Sequence, residues 1–383
     1  MQRITRLGAA VATALAATAA LAPSVPSAAA GHGGGRPGHH VHHAVFVQTD
    51  NPAGNQIVAY HREDDGRLTQ SAVYDTGGLG GVLGGSVADH LASQGSLTYD
   101  EKHRLLYAVN AGSDTVSVFA VEGEHLHLCQ VVASGGRFPV SIAVHQDVVY
   151  VLNALDGGSV QGYTVADGEL APVAGWHRGL GLDPNATPQF TTTPAQVGFT
   201  GAGNQLVVTT KANGNSIDVF NLDRTGAPAA APVVTTDPGA VPFGFVQNGR
   251  HGLFVTEAGP NAVATFTINA DGTATKTASA ATGQSATCWI AAAGRFLYAS
   301  NAGTSNLSGF RVGAHSLLTS LGTTATNPGT VDAAATPDGH FLYVQTGING
   351  IVDAFRVNGD GSLTALGSST VPGAAGGEGI VAL

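Results

Sequence analysis

The stretch LYAVNAGSDTVSVFAV occupies residues 106–121, and LYASNAGTSNLSGFRV occupies residues 297–312, 191 positions later. Each is an alternating apolar run, a turn rich in Gly, Asn, Asp or Ser, and a second alternating run that reaches Phe. Alternation with a period of two sends one face of a strand into a core, and two such runs about a short polar turn predict a β-hairpin. Five further copies can be read: AVFVQTDNPAGNQIVAY (44–60), VVYVLNALDGGSVQGY (148–163), LVVTTKANGNSIDVF (206–220), LFVTEAGPNAVATF (253–266) and LYVQTGINGIVDAF (342–355). The equivalent positions Phe46, Tyr107, Tyr150, Val208, Phe254, Tyr298 and Tyr343 are 61, 43, 58, 46, 44 and 45 residues apart.

A period near 45 fits a four-stranded propeller blade, which cannot bury its two faces without neighbours. The other two strands of each unit are also legible. Small-residue segments precede the hairpins, as in GSLTYD (95–100), VSIAVH (140–145), QVGFT (196–200), FGFVQ (243–247), CWIAA (288–292) and VDAAAT (331–336). Small side chains suit the crowded strand nearest the axis. More polar segments such as GELAPVAG (168–175) and GSLTALGSS (361–369) follow the hairpins and suit the outer edge. The first unit lacks an inner strand, and the last residues, GEGIVAL (377–383), read as an inner strand with nothing after it. The expected fold is therefore all-β, a seven-bladed β-propeller over residues 44–383 whose C-terminal strand joins blade 1 and closes the ring. A β-sandwich or a pair of small barrels, the competing arrangement, does not account for seven registers of one pattern.

Bulk properties narrow the function. The 383 residues include 54 glycines, only 11% are charged, and 43% are hydrophobic, which suits turns and pleated strands. The net charge of −10, with three lysines (Lys102, Lys211 and Lys276), argues against a nucleic-acid partner. Residues 1–30 carry Arg3 and Arg6, an Ala/Leu run from Leu7 to Leu21, and small residues up to Ala30, the pattern of a cleaved secretory signal. No later stretch is apolar over the roughly 20 residues of a membrane span, so an exported, soluble protein is expected. The leader GHGGGRPGHHVHH (31–43) holds five of the fifteen histidines. It reads as a flexible leader with incidental metal affinity, although cleavage after Ala29 would expose Ala30-Gly31-His32, a Cu(II) or Ni(II) chelate. No catalytic metal, Ca²⁺ loop or cofactor motif is expected, and no feature speaks to oligomeric state.

The seven units, with LYAVNAGSDTVSVF as a clear example, resemble the lactonase-type seven-bladed propellers. That group includes bacterial 6-phosphogluconolactonases and fungal carboxymuconate cyclases. Segments such as PVSIAVH, PAQVGFT, PFGFV and ATCWIA are similar to an exported bacterial subgroup. The resemblance covers about residues 44–383 and implies the fold together with a lactone or cyclic carboxylate as ligand. It departs at the chemistry. The Pro-Arg-His and Pro-His-x-His signatures that typically enter inner strands of the phosphogluconolactonases are absent, which removes support for 6-phosphogluconolactone as substrate.

In a propeller, hairpin turns and the starts of inner strands share the face where ligands bind. The turns supply Asp50, Asn110, Asn153, Lys211, Glu257, Asn301 and Thr346, and the inner-strand starts supply Gln94, Ser141, Gln196, Phe243, Cys288, Trp289 and Asp332. Asn in a turn also has a purely backbone reason to be there. Lys211 and Glu257 occupy matching positions of adjacent units, so two readings stand. In one they are the oxyanion partner and the base of a lactonase; in the other they are a structural ion pair between blades 4 and 5. Trp289 is either a stacking surface for a ligand or a packing residue between blades. Two connections are long, residues 76–94 and 175–193, and either can be a lid; the first is Gly-rich enough to be a loose connector instead. Trp176, His177 and Arg178 would then lie on the second lid. Cys288 reads as a buried thiol, and a bridge to Cys129 is not expected from their places on different blades and different strands. The function expected is an exported lactonase-like propeller that hydrolyses or binds a small lactone or cyclic carboxylate in its axial funnel. The alternative is a non-catalytic extracellular binding platform.

Overall fold

In the computed structural model, residues 43–383 are described; the expected signal and all but the last residue of the His-rich leader lie outside them. The described chain forms seven antiparallel four-stranded sheets. Six are made of consecutive strands. In blade 2, for example, Leu97–Asp100 is innermost, followed by Leu105–Asn110, Thr115–Glu122 and His125–Ala133. The seventh sheet is composite: Ile380–Ala382 pairs with Ala44–Gln48 in the register Val45↔Ala382, Phe46↔Val381 and Val47↔Ile380. The C-terminal strand thus closes the ring through blade 1, as the terminal pattern predicts.

The hairpin pattern decides the core. The seven positions aligned from sequence, from Phe46 to Tyr343, are at most 3% exposed. In blade 4, however, the register makes Val207, also 0% exposed, the true equivalent, and Val208 packs instead towards Tyr150 of blade 3. Burying each such side chain contributes about 1.5–3 kcal/mol. Three of the tyrosines also bond forward to the next blade. The hydroxyls of Tyr150, Tyr298 and Tyr343 donate to the carbonyls of Gly226 (2.7 Å), Gly361 (2.8 Å) and Gly66 (2.9 Å), each in the outer turn of the following blade. The repeated Asn has an equally local task. Asn110 Nδ2 donates to Ser117 Oγ at 2.8 Å, and Asn301 Nδ2 to Ser308 Oγ at 2.9 Å, so each clasps its own hairpin. The opening phrase recurs because one apolar wedge and one turn clasp are needed per blade.

The two long connections differ from each other. The outer strand of blade 3 runs through Glu169–Gly179, with Val160↔Arg178 and Gln161↔His177 paired. Trp176, His177 and Arg178 therefore lie on a strand and not on a lid. The reason is packing: Trp176 is 8% exposed and stacks on Tyr150 with ring centroids 6.1 Å apart, while Arg178 donates to the carbonyls of Pro228 (2.6 Å) and Ala229 (2.8 Å). The remaining turn carries the short helix Gln189–Thr192.

The Gly-rich connection 76–94 is tightly held. Its backbone lies on the hairpin turns of blades 1 and 2, with Gly80 N donating to Asn51 O and Gly112 N to Leu79 O, both at 3.0 Å. A Cβ on Gly80 would stand 2.0 Å from Asp50 O, and one on Gly347 of blade 7 would stand 1.6 Å from Ala88 O. Glycine is required there for backbone-on-backbone contact. The end of the connection then enters the ring. Gln94 N donates to Ala195 O of blade 4 (3.2 Å), while the Gln94 amide exchanges two 3.0 Å bonds with the backbone of Ile290 in blade 6. Ser93 Oγ donates to Val140 O of blade 3 (2.9 Å). One short segment that bonds to blades 3, 4 and 6 must occupy the ring's centre, so residues 89–94 are a plug.

Candidate active site

Lys211 follows the second strand of blade 4, Gln205–Thr210, and is 1% exposed. Its ammonium donates to Ala92 O of the plug at 2.6 Å and lies 5.4 Å from the centre of the Phe243 ring. Burial drives its pKa down to about 7, against the opposing pull of Asp89 and then of Cys288 and Glu378. Asp89 is the one acidic residue of the 76–94 connection. Its carboxylate accepts Leu91 N (2.8 Å) and Ser93 N (3.0 Å), bonds that shape the plug, and burial still lifts its pKa to about 6.

Both residues open onto a cavity of about 330 Å³. Its walls come from the 76–94 connection (Val87 and Ala88, then Ala92 of the plug), the short helix (Phe190, Thr191) and the hairpin turns and inner-strand starts of blades 5 and 6, with Ile348 of blade 7 at the rim. Phe243 and Trp289 meet edge to face, centroids 4.9 Å apart, and the Trp289 Nε1–H donates to Ser93 O at 2.5 Å. That bond points the indole's polar edge at the plug and leaves its apolar body for the wall.

Further carboxyls lie around the plug. Glu378, which precedes the closing strand, has a carboxyl oxygen 2.7 Å from Ser93 Oγ, accepts Ser96 N (3.2 Å), and its own N–H donates to Asp50 Oδ2 (2.7 Å). Desolvation raises Glu378 well above the ordinary range, Asp50 to about 8 and Asp332 to about 7. Glu378 thereby couples ring closure to the plug. Among the described residues, no group of three or more His, Cys, Asp or Glu is arranged to hold a metal ion.

The family profile described as lactonase, 7-bladed beta-propeller, matches residues 84–376. The chain belongs to the lactonase family. Solved structures agree on the fold. A candidate 6-phosphogluconolactonase from Bacteroides fragilis is 18% identical with a TM-score of 0.70, covering 90% of this chain and 99% of its own. The periplasmic gluconolactonase of Pseudomonas aeruginosa is 19% identical with a TM-score of 0.70 over 88% and 98% of the two chains. A Lactobacillus plantarum protein is 19% identical with a TM-score of 0.69 over 88% and 98%. No curated protein matches the sequence.

In this lactonase-family chain, four of the residues singled out from sequence line the cavity: Lys211, Phe243, Cys288 and Trp289. Cys288 is buried and its thiol is pushed up to about 12; it and the exposed Cys129 are both free. The others serve the frame. Asn110 and Asn301 clasp turns, Asn153 Nδ2 donates to Ser134 O (3.1 Å), and Ser141 Oγ donates to Gln94 O (2.7 Å). The Gln196 amide ties blade 4 to blade 5 by bonding Phe245 O (3.1 Å) and Phe245 N (2.6 Å), as Gln94 does with Ile290. Asp332 accepts Ala333 N at 2.9 Å.

Glu257 does not pair with Lys211. Its carboxylate receives Lys276 Nζ at 2.8 Å, and Lys276 also meets Asp237 at 3.1 Å. Lys211 has no ion pair within 4.0 Å among the described residues. The reason is direction: Lys211 points to the plug, whereas Lys276 reaches Glu257 from the outer strand of its own blade. Asp89, Phe190 and Ile348 are cavity residues that the sequence pattern passes over. For Asp89 a signal was present, the single carboxylate of a connection made mostly of Gly, Ala, Ser and apolar residues.

Proposed function

We propose that this chain is an exported hydrolase that opens a small lactone in the cavity above the plug, at the mouth of the axial funnel. The observation that carries the reading is the meeting of Lys211 and Asp89 in a largely apolar cavity of a lactonase-family propeller. The secretory pattern of residues 1–30 supports export.

Hydrolysis needs a proton acceptor for the attacking water and a positive group for the carbonyl oxygen. In this reading Asp89 takes a proton from water as the water oxygen bonds to the lactone carbonyl carbon. The Lys211 ammonium donates to the oxyanion. Collapse breaks the ring C–O bond, and the departing oxygen receives the proton, giving a hydroxy acid. Asp89 replaces Glu257 as the base because Glu257 is engaged by Lys276 and does not line the cavity. The same Lys211 would hold a product carboxylate if the chain only binds.

The test is hydrolysis of aliphatic, sugar-derived and aromatic lactones by wild type, Lys211→Met and Asp89→Asn. Loss of about 10²–10³ in kcat in both variants, with melting temperature held, supports the reading. No hydrolysis of any lactone by wild type would sink it and leave a binding platform.

A further inference from the structure

We infer that the cavity selects a lactone with an aromatic, hydrocarbon body and rejects polyhydroxylated or phosphorylated sugar lactones; this rests on the lactone-opening site proposed above and names its substrate class. The walls are the first reason. Phe190, Phe243 and Trp289 supply three aromatic rings, and Val87, Val241 and Ile348 supply aliphatic surface. Two of these are exposed although apolar: Val87 is 76% and Ile348 41% accessible, so the cavity mouth itself is hydrophobic. Single exposed apolar residues are ordinary, but two at the rim of one apolar cavity mark where an apolar ligand enters.

The polar groups are the second reason. The polar or charged side chains in the wall are Asp89, Thr191, Lys211 and Cys288. The Asp89 oxygens accept Leu91 N and Ser93 N, Lys211 donates to Ala92 O, and the Trp289 N–H is committed to Ser93 O. Little is left to bond the several hydroxyls of a sugar ring, and each hydroxyl buried without a partner opposes binding. A phosphate fares worse. No arginine lines the cavity, its single lysine is largely desolvated, and the Asp89 carboxylate faces the same space. The volume of about 330 Å³ falls at the small end of the roughly 300–1,000 Å³ usual for ligand sites, which suits a compact bicyclic lactone.

The experiment compares 3,4-dihydrocoumarin with glucono-1,5-lactone, each kcat/KM divided by that lactone's uncatalysed rate. Calorimetric binding of the matching lactams, which are not hydrolysed, is measured alongside. The expected result is a preference of about 100-fold or more for dihydrocoumarin, in line with what an apolar pocket achieves against a hydroxylated competitor. Its lactam should bind and gluconolactam should not. Ile348→Asp, at an exposed rim position, should shrink the preference about tenfold. Hydrolysis of gluconolactone at an equal or greater normalised rate overturns the apolar class while the lactonase reading stands. Selective binding of the aromatic lactam without hydrolysis of either lactone keeps the apolar class and overturns hydrolysis. Failure of both binding and hydrolysis overturns both.

Discussion

Replacing Lys276 by Met asks which cation Glu257 depends on. The Glu257 side chain is 1% exposed and meets Lys276 Nζ at 2.8 Å, while Lys276 itself is 36% exposed. Removing one partner of a buried pair costs about 3–5 kcal/mol. Water already reaches Lys276, so screening reduces the expected loss to about 2–3 kcal/mol. For a ring of this size that corresponds to a melting temperature lower by roughly 2–6 °C, scaling down from smaller domains.

The pH dependence has a definite sign. Burial raises the Glu257 pKa, and Lys276 opposes that rise. Without Lys276 the folded-state pKa climbs further above the unfolded value. A carboxyl raised in this way is tolerated by the fold when protonated, and the fold is penalised as pH rises through the folded pKa. The Lys276→Met deficit is therefore largest at pH 8 and shrinks towards pH 5. Thermal melts at pH 5, 6, 7 and 8 measure it, and Glu257→Gln/Lys276→Met should recover most of the loss. The reasoning fails if the deficit is absent at pH 8 or independent of pH. It also fails if Lys211→Met reproduces the pH-dependent loss, since Lys211 would then be the balancing charge.

Three other outcomes follow from the same geometry. If Asp89 must be ionised and Lys211 charged, kcat/KM on a lactone is bell-shaped with limbs near pH 6 and pH 7; a flat profile from pH 5 to 9 removes both from the chemistry. The buried Cys288 thiol, pushed up to about 12, should resist a thiol reagent at pH 8 while the exposed Cys129 reacts, so titration finds one thiol in the native protein and two in urea. Deleting residues 378–383 removes both the closing strand and the Glu378 bonds to the plug, and cooperative melting by circular dichroism should be lost. A truncated chain melting within about 3 °C of the full-length protein would show that closure matters little.

The ring could be read because it depends on information repeated seven times. Tyr107 and Tyr298 sit in the same phase of the same phrase, and one steric requirement, a large apolar side chain between blades, fixes both. Closure was legible for the related reason that one unit lacked a strand and the terminus offered one. Sequence spacing places Trp176 in a connection, because the polar strand reads as ending at Gly175 and the 58-residue interval leaves a long segment after it. In three dimensions the indole buries against Tyr150 and carries the strand four residues beyond Gly175.

The site was less legible because it is made where the repeat breaks. The sequence pattern sets Lys211 opposite Glu257, but the sheet register matches Glu257 with Thr210, since these two end their strands opposite Pro242 and Pro194. Lys211 lies one residue further on, and a one-residue offset sends its side chain another way. What divides their fates is a segment that no other blade contains. Residues 89–94 offer Ala92 O to Lys211, present Asp89 to the cavity and engage Glu378 at the ring closure. A repeat supplies a rigid, nearly symmetric frame, and symmetry alone would make seven similar turns with no preferred place for a ligand. The insertion between blades 1 and 2 destroys that equivalence: it fills the centre and supplies the carboxylate, while the second long connection adds Phe190 and Thr191 to the cavity wall. Chemistry in this propeller is therefore expected to track changes in residues 76–94 more closely than changes in any blade.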